Sequence, residues 1–316
     1  MTVRVLFAGR DAGWDEWAPH LRDAFAEAGL DVAMVPVSRD HDPAAFDWMI
    51  HSPKGPVEDF APYTGLKGVL SLWAGVERVE GNPTLTVPLT RMVDDSLVQG
   101  MVEWVTGHVL RHHLGMDAHI VNPDRAWDGT APPLAPDRRV AVLGLGALGA
   151  PCATTLAGLG FDVTGWTRKA RSLDGVRCLH GPEARDDALA EAEIVVLLMP
   201  HTSATQDMVD EAFLAAMAPG AVLLNPARGA LVVEDDLLDA LDRGHLSHAT
   251  LDTHRVEPLP PDHPFWSHPR VTVTPHVASH TRPGVASKVI AENVRRGEAG
   301  EPLLHVVDRS EAMAGR

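Results

Sequence analysis

Residues 138–149 read RRVAVLGLGALG, a short apolar run that stops in three glycines spaced G-x-G-x-x-G. Small residues follow at helical spacing, and after Gly158 and Gly160 a second apolar run extends from Phe161 to Trp166. The pattern is strand, glycine turn, helix, strand. Gly144 permits the tight turn, Gly146 lets the backbone approach a pyrophosphate, and Gly149 lets the helix sit close on the sheet. The helix start offers unpaired amides to an anion. Glycine supplies 27 of the 316 residues, so the spacing alone carries little. The strand before it and the helix after it point to a dinucleotide, with Ala147 and Leu148 joining Gly144 and Gly146 as contacts.

A chain of 316 residues has room for about two domains. Residues 1–90 alternate strand and helix: strands at Val3 to Ala8, Val32 to Val37, Phe46 to Ile50, Val69 to Leu72 and Thr86 to Leu89, and a helix over Asp15 to Ala28. A helix over Leu97 to Leu114 follows, capped by Asp94 or Ser96 and closed by Gly115. Residues 122–137 hold four prolines and a glycine and read as a loop. Further strands are expected at Ile194 to Met199, Ala221 to Asn225, His248 to Asp252 and Val271 to Thr274. Helices are expected at Gln206 to Met217, Glu234 to Leu241 and Pro283 to Arg296, with an edge segment at Leu303 to Asp308. Short, wholly apolar strands such as IVVLL at 194–198 suit parallel sheets covered on both faces.

The net charge of −16 argues against nucleic-acid binding, and no apolar run approaches the roughly 20 residues of a membrane span. The first residues read as a strand rather than a signal peptide. Cys152 and Cys178 are too few for a disulfide framework or a thiolate metal site and fit buried thiols in a reducing cytoplasm. The 17 histidines show no metal-binding pair on a plausible helix, so most are expected at the surface and no metal is expected. The tryptophans Trp48, Trp104 and Trp266 are expected in the core.

An acid at the end of the strand after such a turn usually holds the ribose of NAD, whereas an arginine accommodates a 2′-phosphate. Here that strand runs into Thr167, Arg168, Lys169 and, two positions on, Arg171. Arg168 can grip a phosphate with its fork and Thr167 can donate a hydroxyl bond. In so acidic a chain this cluster favours NADPH, with NADH the weaker alternative; the other reading is a solvated basic loop.

Three later segments, NPARG ending at Gly229, DTHRVEPLP over 252–260 and TPH ending at His276, each lie at the carboxyl end of an expected strand, where open α/β sheets bind ligands. Reducing a 2-oxo acid requires a cation for the carboxylate, an acid for the carbonyl oxygen and a carboxylate to hold that acid charged. Arg228, His276 and Glu257 suit these roles in turn. Singly, each could equally be a surface ion-pair residue, a strand-end histidine or a solvated charge.

Together with the glycine turn, the N-x-A-R-G, E-P-L-P and T-P-H segments resemble the D-isomer-specific 2-hydroxyacid dehydrogenase family, and within it the glyoxylate/hydroxypyruvate reductase A type. The similarity takes in VEDDLL at 233–238, WSHPRV at 266–271, Thr281-Arg282-Pro283 and Val307-Asp308-Arg309. It implies an α/β fold of two Rossmann-like or flavodoxin-like domains with doubly wound parallel sheets and a cleft between them. The substrate domain would be discontinuous, 1–97 with 284–316, and the NAD(P)-binding domain would span 98–283. LWAGVE at 72–77 resembles a loop whose amides, here Ala74 and Gly75, bind the substrate carboxylate. Asp252 matches an aspartate near the nicotinamide, and Pro200 and Ala227 complete the cofactor set. A homodimer is implied as well. Three departures stand out: Trp73 where glycine is frequent, Thr253-His254 in place of Val-Phe, and His201 after Pro200. Trp73 would either narrow the pocket or pack beneath the loop, and Arg91 and His51 are further candidates to line the cleft.

The expected reaction is NADPH-dependent reduction of small 2-oxo acids, glyoxylate to glycolate and hydroxypyruvate to D-glycerate. Two other readings stand: the same chemistry on a bulkier 2-oxo acid, and a non-catalytic nucleotide-sensing protein.

Overall fold

The structure, a computed structural model, describes residues 2–9 and 11–310. The chain divides into two compact units, one of residues up to Leu97 together with those from His280 onward, the other Val98–Ser279.

In the first unit, β1 (Val3–Ala8), α1 (Asp11–Glu27), β2 (Val32–Pro36), β3 (Trp48–His51), β4 (Gly68–Ser71) and β5 (Leu89–Thr90) form a five-stranded sheet of order β2-β1-β3-β4-β5. Every pairing is parallel, and the order is the flavodoxin-like one. Burial on both faces is why β3 and β4 carry no charged residue. The helix α8 (Pro283–Glu298) packs against α1 and turns Ala286, Ile290, Ala291 and Val294 inward. Trp48 is buried and donates from its indole to Glu298 at 2.8 Å; Gly297 makes room, since a Cβ there would lie 2.2 Å from the ring. The expected edge segment forms: Val306 bridges Thr90 in antiparallel fashion and the Val307 amide donates to Leu89.

The second unit contains most of α2 (Asp95–His113), whose start is capped by Asp94: its carboxylate accepts from the amides of Ser96 and Leu97. The short α3 (Asp117–Ile120) precedes the proline-rich stretch, which is irregular but for one turn of 3-10 helix at Ala135–Asp137. Then follow β6 (Arg139–Leu143), α4 (Gly149–Gly158), β7 (Asp162–Thr167), β8 (Arg177–His180), α5 (Glu183–Ala190), β9 (Ile194–Leu197), α6 (Glu211–Ala216), β10 (Ala221–Asn225), α7 (Glu234–Asp242), β11 (Leu246–Leu251) and β12 (Val271–Val273). The seven strands are all parallel in the order β12-β11-β10-β9-β6-β7-β8, so the winding reverses between β6 and β9. The two-residue period of a strand divides the core. Val140 and Val142, Ile194 and Val196, and Val222 and Leu224 face α2 and α4. Ala141 and Leu143, Val195 and Leu197, and Ala221 and Leu223 face the side where α5, α6 and α7 pack.

Several expectations change. β8 and α5 carry too little apolar periodicity to be read from sequence: RCLH is a half-exposed edge strand and EARDDALA is largely polar. The helix expected from Gln206 begins only at Glu211. Thr205 is held in a turn by its hydroxyl bond to the Pro200 carbonyl, Asp207 takes a left-handed φ of 54°, and Asp210 caps the helix by accepting from the Phe213 amide. Trp266 is half-exposed rather than core, its indole on the Pro260 carbonyl, and Cys178 is only partly buried. His51, His113 and His254 are buried, against the expectation of surface histidines. Among the described residues no helix is long and apolar enough to cross a membrane.

Candidate active site

The glycine turn joins β6 to α4 at the point where the strand order reverses, the place where ligands bind in such sheets. Gly144 has φ 103°, and a Cβ on it would lie 2.6 Å from the backbone of Leu198, which follows β9. Gly149 is still tighter: its Cβ would come 1.7 Å from the Gly144 carbonyl oxygen. Only glycine fits either position. Gly146 differs, because it is exposed and a Cβ there would meet nothing within 4 Å. The fold therefore does not need glycine at 146, and the open ground beside it fits the approach of a pyrophosphate to bare backbone.

Thr167 ends β7 half-buried, with Arg168 and Lys169 exposed just beyond it. Arg171 reaches back and donates to the Leu145 carbonyl inside the glycine turn, tying the two loops together. This brace was not evident from sequence, where Arg171 was one cation among three. Ala147 and Leu148 stand half-buried at the start of α4, and Ala227 is buried with its amide on Asn225. Pro200 is exposed, and neighbouring His201 bonds Gln206 at 3.2 Å.

Arg228, Glu257 and His276 follow β10, β11 and β12, three adjacent strands, so the sheet itself brings their loops side by side. The Asn225 side chain shapes the first loop, accepting from the Ala227 amide and donating to the Arg228 carbonyl. Gly229 is required there because a Cβ would sit 2.1 Å from the His254 carbonyl carbon. This crowding is the physical content of the glycine in N-x-A-R-G, and it packs the Arg228 loop against the one that carries Glu257.

Both carboxylate oxygens of Glu257 lie at hydrogen-bond distance from Nδ1 of His276, 2.9 and 3.0 Å, and the His254 amide donates to one of them at 3.2 Å. Nδ1 is thus the donor toward Glu257. Among the described residues Nε2 has no partner, which leaves it to act on a ligand. His276 is half-exposed and has φ 55°, a left-handed conformation that an ordinary residue adopts only when its surroundings impose it.

Asp252 imposes it. This buried residue accepts from the Thr274 hydroxyl at 2.5 Å and from the amides of Val277 and Ala278 at 2.9 Å, and its own carbonyl accepts from the His276 amide. Both oxygens are engaged by the loop that bends around His276. The role of Thr274 was missed because a threonine at a strand end carries no distinctive signal. Next along, His254 is buried with its titration pushed down by burial, and its ring lies 3.4 Å from the Thr274 carbonyl.

In the first unit, Ala74 and Gly75 follow β4, and among the described residues nothing accepts from their amides. His51 is buried, packed against Phe60 and bonded to the Val57 carbonyl, and burial lowers its pKa. Arg91 is half-buried, its amide on the His305 carbonyl of the edge segment.

Residues 108–278 match the family model described as D-isomer specific 2-hydroxyacid dehydrogenase, NAD binding domain. A glyoxylate/hydroxypyruvate reductase A from Serratia proteamaculans is 40% identical over 261 residues, which is 80% of this chain and 83% of that one. Its counterpart from Escherichia fergusonii is 36% identical over 95% of this chain and 96% of its own. The solved D-isomer specific 2-hydroxyacid dehydrogenase from Xanthobacter autotrophicus Py2, in complex with NADPH and MES, superposes with a TM-score of 0.92 at 38% identity, covering 99% of this chain and all of the other. The NADPH-dependent glyoxylate/hydroxypyruvate reductase from Sinorhizobium meliloti, in complex with NADP and sulfate, gives 0.85 at 33% identity, with 98% and 99% covered. A reversed parallel sheet, a glycine turn shaped for a dinucleotide and a carboxylate-held histidine agree with these likenesses, and the chain belongs to the D-isomer specific 2-hydroxyacid dehydrogenase family.

Proposed function

We propose that this protein is an NADPH-dependent reductase of small 2-oxo acids, with glyoxylate and hydroxypyruvate as substrates. The observation that carries the reading is the His276–Glu257 pair at 2.9 Å, in a chain 40% identical to a glyoxylate/hydroxypyruvate reductase A and built like a 2-hydroxyacid dehydrogenase solved with NADPH and a glyoxylate/hydroxypyruvate reductase solved with NADP. When bound, NADPH supplies the hydride that reduces the carbonyl carbon.

The chain's own residues do the rest. The bare backbone at Gly146 and the start of α4 receive the pyrophosphate, and Thr167, Arg168 and Lys169 receive the 2′-phosphate, the basic cluster giving NADPH its advantage over NADH. Arg228 grips the substrate carboxylate, and the amides of Ala74 and Gly75 are the second group assigned to it. Glu257 accepts the Nδ1–H hydrogen bond and favours the imidazolium, so that Nε2 of His276 delivers a proton to the carbonyl oxygen as it becomes an alkoxide. Asp252 keeps His276 at the required angle. The first unit is the substrate domain and the second the cofactor domain in this reading.

A homodimer in the cytoplasm belongs to the same reading. Ile120, Val121, Trp127 and Leu134, between 72% and 99% exposed, gather on the stretch after α2, and so much bare apolar surface on one segment suits an interface with a second copy. Cys152 and Cys178 are both free thiols, in keeping with a reducing compartment.

The test is His276→Asn. Turnover of glyoxylate is expected to fall by about 10²–10⁴-fold, while NADPH binding, read by fluorescence titration, stays. Undiminished turnover would remove His276 from the chemistry.

A further inference from the structure

Two loops at the carboxyl edge of the first unit's sheet carry groups that the reaction as described does not use. The loop after β3 holds Lys54 and the loop after β4 holds Trp73, and the Lys54 ammonium lies over the Trp73 ring, 5.3 Å from its centroid. β3 and β4 are paired neighbours in register, so their loops emerge side by side.

Both loops are tied down through their backbones. The Trp73 amide donates to the Ser71 hydroxyl at 3.1 Å, the Trp73 carbonyl accepts from that hydroxyl at 3.1 Å, and the same carbonyl accepts from the Met92 amide at 2.9 Å. Lys54 sits in a turn closed by the Gly55 amide on the Ser52 carbonyl at 2.6 Å. A Cβ on Gly55 would approach the Ala8 carbonyl oxygen to 2.3 Å, so this turn is seated directly on β1. An indole face attracts an ammonium and narrows the positions it samples, which lowers the entropy lost when that ammonium meets an anion. Trp73 is followed at once by Ala74 and Gly75, whose successive amides have no acceptor among the described residues. Consecutive unpaired amides make an anion-binding concavity.

We propose that Lys54, oriented by Trp73, is a carboxylate-binding residue of the substrate site, acting on the same anion as the amides of Ala74 and Gly75. Trp73 is then neither a narrowing wall nor a buried support but a positioning residue, a platform for a cation. The inference rests on the reading that those amides take the substrate carboxylate.

The variants Lys54→Met, Lys54→Arg and Trp73→Leu separate this role from a structural one, since Lys54 is exposed and its loss leaves no core defect. With NADPH saturating and glyoxylate varied, Lys54→Met is expected to raise KM about tenfold with kcat within about twofold, the size of one partly solvated charge-assisted bond. Lys54→Arg is expected to return KM to within about threefold, and Trp73→Leu to raise it about threefold, through loss of the platform. An unchanged KM in Lys54→Met, or a matching loss of kcat, overturns the proposal. Calorimetric binding of oxalate in the presence of NADPH gives a reading that needs no turnover. About tenfold weaker binding in Lys54→Met supports the role of Lys54 even if the wild type does not reduce glyoxylate, a result that would instead sink the substrate assignment. Equal oxalate affinity in the two proteins, or none in the wild type, overturns the role of Lys54.

Discussion

Nδ1 of His276 lies 2.9 Å from one carboxylate oxygen of Glu257 and 3.0 Å from the other, so the ring is held from one side by a forked acceptor while Nε2 stays available. The pair is set by two neighbouring strand ends, β11 and β12, and not by residues close in sequence.

Glu257→Gln keeps the shape and one acceptor oxygen but removes the charge that favours the imidazolium. The reduction kcat/KM is expected to fall by about 10²-fold or more, with NADPH affinity within about twofold. Steady-state rates and a fluorescence titration check both halves. A variant within about threefold of wild type would show that the carboxylate only supports the loop.

The glycines of the turn should separate by role. Gly149→Ala forces a Cβ to within 1.7 Å of the Gly144 carbonyl oxygen and should lower stability by about 3 kcal/mol. Gly146→Ala meets nothing within 4 Å, so it should unfold with the wild type yet bind NADPH about tenfold more weakly, having lost only the bare approach to the phosphate. Denaturant melts and cofactor titrations of the two variants decide it. Equal NADPH affinity in Gly146→Ala would move the pyrophosphate away from this residue.

Stability should fall in acid for a reason visible in the second unit. The His112 and His248 rings, from α2 and β11, lie with centroids 5.0 Å apart and tilted by 47°, and they bond to the hydroxyls of Thr250 and Thr272. Burial, then the charge of each other or of Arg111, pushes His112 down to about 3 and His248 to about 4. Both are neutral when folded, whereas an unfolded histidine takes a proton near pH 6.5, so below that pH the unfolded chain binds more protons. Their contribution is present in full above about 6.5 and is lost as the pH drops toward about 4 and then 3. Denaturation midpoints measured from pH 7 to 4.5 should decline. His248→Gln should reduce the slope by about one proton; an unchanged slope would assign the acid sensitivity elsewhere.

Much of this site is legible in the amino-acid order. β1 and β10 fall where apolar runs place them, because strands buried on both faces leave little room for polar residues. Arg228, Glu257 and His276 each stand in a short motif at a strand end, with Gly229 beside the first for a steric reason. What stayed hidden is what depends on distant partners. Thr274 and the amides of Val277 and Ala278 meet Asp252 from more than 20 positions away, so a residue expected near the cofactor is seen holding the His276 loop. Arg171 looked like one more cation until its bond to the Leu145 carbonyl appeared. The polar edge strand β8 and the false start of α6 at Gln206 were lost for the same reason: side-chain hydrogen bonds and sheet edges override local periodicity.

The most direct measurement is the oxidation of NADPH, and separately of NADH, by the purified protein against glyoxylate, hydroxypyruvate and phenylpyruvate. Rapid turnover of the two small acids with NADPH, slower turnover with NADH and little with phenylpyruvate is the expected result. Turnover of phenylpyruvate alone, a preference for NADH, or no turnover of any acid while NADPH still binds would contradict it.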